Sequence, residues 1–204
     1  MARNGGWGNG AHTFLTRPET GWNGSSNSVK DALEAADALW TPVLEPSRFT
    51  FMPGDGEILL DTDVVLPNGE VLRFGDGYNV TRSDNHQAIG KVGSRYRPFS
   101  NLECFGALDD PLFKDRVEIV GVGAYKGGRE VFVQACLVGQ DEVADGDVQE
   151  RTVFVRTSHN GTKNLEMFIV SIRLYCTNQL PMAMKNGGQG FAVPHVESGA
   201  KMIG

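Results

Sequence analysis

Three cysteines and four histidines in 204 residues leave this chain poor in the side chains that most often carry covalent or metal chemistry. Cys104, Cys136 and Cys176 lie far apart and form no C-x-x-C pair, which argues against both a secreted disulfide framework and a zinc ribbon. A chain of this length buries a core without covalent staples, so each cysteine reads as a small buried apolar residue. His12, His86, His159 and His195 include no pair at ligand spacing and no H-E-x-x-H motif. No metal site is expected.

Long hydrophobic runs are missing too. The most apolar stretches, residues 117–124 and 131–138, are far too short to cross a bilayer as helices, and no apolar segment follows the first charges of the N-terminus. These two absences predict a cytoplasmic protein. There is no G-x-S-x-G elbow and no glycine-rich phosphate loop followed by Lys-Ser/Thr. Gly121-Val122-Gly123 precedes a hairpin rather than a strand-to-helix turn, so a dinucleotide fingerprint fails on context. With Cys176 in an apolar run and no base beside it, the sequence leans away from an enzyme and implies no cofactor.

Positive charge is scarce overall. The net charge is −6, and residues 1–115 carry 10 Lys/Arg against 16 Asp/Glu, while residues 116–204 carry 9 of each. A polyanion could therefore be held only by a local basic patch.

What is present is a series of short strand and turn signals. Residues 1–27 are rich in Gly, Asn, Ser and Thr around Trp7 and Trp22, and read as an irregular arm. Ser28 can cap a helix over residues 29–40, where Val29, Leu33, Ala36, Leu39 and Trp40 recur at helical spacing before Pro42. From residue 48 the pattern turns to short apolar runs, including a Leu66-Pro67-Asn68-Gly69 hairpin signal and strands over 78–82 and 88–96. Ser100 and Glu103 form a capping-box pattern for a helix reaching about residue 108. The strongest signal spans 117–138, two runs rich in β-branched residues joined at Lys126-Gly127-Gly128-Arg129. An acidic loop over 140–150 leads to strands at 152–158 and 165–174, a short helix near 178–185, and a loose tail from 187 to 204. The expectation is one α+β domain over 28–186, with a mainly antiparallel sheet built from hairpins and two or three short helices. A division near residue 115 is the alternative.

Four blocks carry a family resemblance. They are the helix ending in Leu39-Trp40, the segment Gly90–Asn101, the hairpin 123–133 with its Gly-Gly-Arg centre, and Thr157–Gly161 leading into residues 171–180. In this order they resemble the phage and plasmid-like family DUF932, a domain of unknown function, over roughly residues 28–186. The hairpin-rich sheet followed by a helix more distantly resembles the phage single-strand annealing proteins. The resemblance implies a phage or prophage protein in a bacterial host cell, and assigns no activity.

Three basic sites follow from the residues. Arg82, Lys91, Arg95 and Arg97 interleave with Tyr96 and Phe99, joining phosphate-neutralising cations to aromatics that can stack on unpaired bases. If residues 88–96 form one strand, Arg95 and Tyr96 point to opposite faces. Lys126 and Arg129 flank a glycine turn and would present cations at an exposed hairpin tip. Arg156, His159 and Lys163, with Arg151 nearby, surround a strand and its turn, where His159 could meet a phosphate or act as a base. Each site has a plainer reading: core aromatics, an ordinary charged turn, a turn histidine. The leading functional expectation is an accessory protein that binds single-stranded DNA in replication or recombination, as a homo-oligomer. The alternative is a non-enzymatic interaction or assembly module that docks through the Trp7/Trp22 arm and the tail.

Overall fold

A computed structural model describes residues 20–138, 141–144, 147–149, 151–170 and 189–203. The helix expected near 178–185, Cys176, and the first part of the arm lie outside these residues.

Strand β1 (Thr20–Ser26) leads into helix α1 (Val29–Ala35). The Ser28 hydroxyl accepts from Asp31 N at 3.3 Å, the cap that the sequence predicts. The helix nevertheless stops well short of Trp40. Asp37 adopts a left-handed φ of 55°, Ala38 N donates to Leu33 O and Asp37 N to Glu34 O, the paired bonds of a Schellman ending. Trp40 reaches the core from the irregular segment just ahead of β2 (Pro42–Phe51) instead.

β2 pairs antiparallel with one edge of the long strand β4 (Val71–Arg82), whose other edge carries β3 (Val64–Val65) near its start and β5 (Ala88–Val92) near its end. The Leu66–Glu70 turn forms where the Asn-Gly signal sits. Ser100 and Glu103 make the expected capping box at α2 (Asn101–Phe105), which tightens into a 3-10 turn over Gly106–Asp109.

The hairpin expected at 117–138 is β6 (Val117–Tyr125) and β7 (Glu130–Leu137). β8 (Asp141–Ala144) pairs with β9 (Asp147–Gln149), so the acidic segment read as a loop is a small hairpin. β10 (Thr152–Ser158) and β11 (Leu165–Val170) follow.

Two expectations need correction. Residues 20–26, assigned to the irregular arm, are a strand paired with β6. The tail is not loose across its described part: β12 (Gln189–Val193) pairs with β11, and α3 (Glu197–Ile203) closes the chain. Periodicity over three apolar residues, Phe191-Ala192-Val193, is too short to separate a strand from a loop, and backbone pairing supplies the rest.

The main sheet is antiparallel in the order β1-β6-β7-β10-β11-β12, so the molecule is an α+β fold with mainly antiparallel pairing. On one face Val131, Val133, Ala135, Val153 and Val155 meet α1, α2 and the near end of the second sheet through Val80, Ile89 and Val92. On the opposite face Tyr125, Phe132 and Phe154 stack at centroid distances of 5.5 and 5.2 Å. The β6–β7 turn docks into the core: Gly128 sits at φ 97°, where an added Cβ would lie 2.6 Å from the Trp40 ring.

Candidate nucleic-acid interface

The residues on which the sequence placed nucleic-acid contacts divide sharply by burial. Lys91 stands at the exposed outer part of β5. Arg95, Tyr96 and Arg97 are not on a strand, because β5 ends at Val92 and Tyr96 N turns back to Gly93 O at 3.1 Å. This segment is pinned by Arg97 N donating to His195 O at 3.0 Å. Gly90 lets β5 pass close to the turn after β10, since a Cβ there would meet Asn160 at 2.6 Å. That approach sets Lys91 beside Asn160, Gly161 and Lys163.

The result is an open cleft of about 1210 Å³ walled by the 91–98 segment, the 160–164 turn and residues 194–198. Lys91, Arg95, Arg97 and Lys163 line it against one carboxylate, Glu197. Arg97 Nη1 holds Glu197 at 2.7 Å, and Lys163 is ion-paired with Glu130. Lys91 and Arg95 have no acidic partner among the described residues. Burial raises the Glu130 carboxyl, but Lys163 and Lys126 outweigh it and hold the group below its ordinary value. Glu130 thus links the hairpin tip to the cleft wall.

Beneath the cleft lies a run of buried rings. Tyr96 stacks on His195 at 5.2 Å and directs its hydroxyl inward to Ser158 O at 3.4 Å, and burial pushes its pKa well above the usual phenol value. Phe99 packs on the same imidazole at 4.9 Å. His195 Nε2 meets Thr157 Oγ1 at 2.9 Å, and burial pushes the ring down to about 4. Its Nδ1 has no hydrogen-bond partner by geometry, although the nearby Arg97 backbone offsets part of that downward push. Deeper still, His159 is fully buried, edge-on to Trp40 at 5.0 Å, and burial pushes it down to about 3. Cys104 is equally inert as a nucleophile, with burial pushing its thiol up to about 12.

Several expectations change accordingly. His159 cannot touch a phosphate or act as a solvent-facing base, because its ring is enclosed and its Nε2 is engaged by Asn101 Oδ1 at 2.8 Å. Arg82 is only 5% exposed, its guanidinium bonded to Asp84 and lying 4.8 Å from the Trp40 ring. Tyr96 and Phe99 are packing groups rather than base-stacking platforms. Arg156 bonds Glu166 at 2.6 Å and lies over Phe168, outside the cleft. Lys126 and Arg129 are exposed, with Lys126 paired to Glu130 at 3.0 Å, but the turn that carries them is fixed against Trp40.

Sequence reasoning missed His195, Glu197, Glu130 and Asn101. His195 and Glu197 lay in the supposed tail, and the short Phe191–Val193 run before Pro194 was the available signal. Asn101 was visible only as a helix position. Among the described residues, no three His, Cys, Asp or Glu side chains converge as a metal-ligating group.

The sheet, capped helices and cleft define an antiparallel α+β protein with a basic groove on an acidic body. The chain belongs to the family described as Domain of unknown function (DUF932), which it matches over residues 88–203. That range omits α1 and the Leu39-Trp40 block and includes β12 and α3, so it lies further toward the C-terminus than the four blocks suggest. No curated protein and no solved structure matches the chain.

Proposed function

We propose that the chain binds single-stranded DNA along the cleft, as a phage or prophage accessory protein of replication or recombination, working as a homo-oligomer in the host cytoplasm. The observation that carries this reading is the gathering of Lys91, Arg95, Arg97 and Lys163 on one cleft of a protein whose net charge is −6. Cations from two separate chain segments meet there, and two of them, Lys91 and Arg95, have no carboxylate partner among the described residues. A flexible single strand can follow such a groove with its phosphates on the cations.

Asn160, Asn164 and Ser94 add hydrogen-bonding groups for sugar or base edges. Because Tyr96 is committed to His195, the contacts are electrostatic and polar rather than stacking, and sequence preference is weak.

The test is fluorescence anisotropy of a labelled single-stranded oligonucleotide across a salt series. Saturable binding should weaken with salt, with a log–log slope of about −0.7 for each phosphate neutralised. Lys91→Ala/Arg95→Ala should weaken it further and flatten the slope. Absence of salt-sensitive binding at micromolar protein in low salt would refute the reading.

A further inference from the structure

The distal half of the second sheet is a separate apolar object. A register shift between Pro46 and Arg48, and the Gly75-Asp76-Gly77 segment opposite it, divide β2 and β4 into two parts. The near part, with Leu44, Tyr78 and Val80, packs on the main core. No residue between 47 and 75 belongs to that core.

In the far part, pairing of Phe49 with Arg73 and of Phe51 and Val65 with Val71 puts those side chains on one face. Phe74, Leu72 and Val64 take the other. Phe49, Met52, Leu59, Leu60, Val64, Val65 and Phe74 are each between 46% and 66% exposed, and Ile58 is 80% exposed. Side chains of this size and exposure present on the order of 700 Å² of apolar surface over the two faces together, near the ~800 Å² each partner buries in a standard interface.

Charge selects the partner. Residues 47–79 hold six carboxylates against two arginines, most of the net charge of the chain. Arg73 is already bonded to Asp63 and Glu57, whereas exposed Asp55, Asp61 and Asp76 have no ion-pair partner among the described residues. A second copy would bring like charges together, and an acidic partner would do the same.

We propose that this ribbon is a docking surface for a partner protein that presents an apolar groove or helix face rimmed by lysine or arginine. Exposed apolar residues on both faces suit a partner that grips the ribbon rather than one that lies flat on it. The site is distinct from the basic cleft and stands whether or not the cleft binds DNA.

The probe is a synthetic amphipathic leucine–lysine peptide, titrated into the full chain by calorimetry. Binding should be saturable, weaken at least tenfold in Phe49→Ser/Phe74→Ser, and weaken with salt and in Asp55→Asn/Asp61→Asn/Asp76→Asn. Near-ultraviolet and far-ultraviolet dichroism unchanged in both variants separates loss of docking from loss of fold, and the charge variant keeps the test open if the serine variant unfolds. No binding, or equal binding to wild type and both variants, would overturn the proposal. So would a light-scattering dimer that falls to monomer in Phe49→Ser/Phe74→Ser, because the ribbon would then serve self-association.

Discussion

His159 donates its Nε2–H to Asn101 Oδ1 at 2.8 Å. The direction follows from the other end of the amide: Asn101 Nδ2 donates to Ala38 O at 2.8 Å and to Trp40 O at 3.5 Å, which leaves its oxygen facing the imidazole. One fully buried amide therefore ties the loop after α1, the start of α2 and the end of β10 together. Removing it in Asn101→Ala strands two carbonyls and a ring N–H, and should cost about 2–4 kcal/mol in denaturant unfolding, since each buried unpaired group costs ~1–3 kcal/mol.

The same burial makes stability depend on pH. His159 at about 3 and His195 at about 4 both stay neutral in the folded chain, whereas the unfolded residues protonate near 6.5. The unfolded state then binds more protons, so their contribution is complete above pH 6.5 and is lost as pH falls toward 4. Each histidine adds a slope of at most about 1.4 kcal/mol per pH unit in that window. Chemical denaturation between pH 4.5 and 7 measures it, and His195→Gln should remove about half the dependence; an unchanged slope would contradict the assignment.

Arg82 and Arg95 were equivalent in sequence and should separate in experiment. Arg82→Ala loses a buried charge-assisted bond to Asp84 and the contact with Trp40, at about 1–3 kcal/mol of stability, yet leaves oligonucleotide affinity unchanged. Arg95→Ala, exposed and without an acidic partner among the described residues, should leave the melting temperature unchanged and weaken binding. Thermal melts run beside anisotropy give both readings from the same samples.

Glu197 occupies the place of a ligand anion on Arg97. The pair is well exposed, and such pairs contribute about 0.2–1 kcal/mol, so Glu197→Gln should tighten oligonucleotide binding by a few-fold at most and steepen its salt dependence. Weaker binding in that variant would show that Glu197 orders Arg97 for the ligand rather than competing with it.

Gly128→Ala tests the docked hairpin turn. The added Cβ would strain a φ of 97° and press on Trp40, and a loss of about 2 kcal/mol or more is expected, measured by melting temperature. A neutral effect would mean that the tip moves freely off the core.

The sequence by itself determined the local elements whose signals are local. Ser28 and the Ser100–Glu103 box start their helices where read, Asn68-Gly69 makes its turn, and the β-branched runs of 117–138 pair as a hairpin, because caps, turns and alternation depend on residues a few positions apart. Local patterning failed where a distant or competing contact decides. The Val29–Trp40 periodicity was cut by a helix ending at Asp37, and the glycine-rich terminus gained a strand only through pairing with β11.

The site was decided almost wholly by tertiary structure. Composition could name cations, but not that Arg82 and His159 would be enclosed while Lys91, Arg95, Arg97 and Lys163 would share a cleft. Burial and proximity are properties of segments packed against one another: β5 against the 159–161 turn, and residues 93–99 against His195. Those contacts join positions about 70 to 100 apart in the chain, a range at which no spacing rule operates.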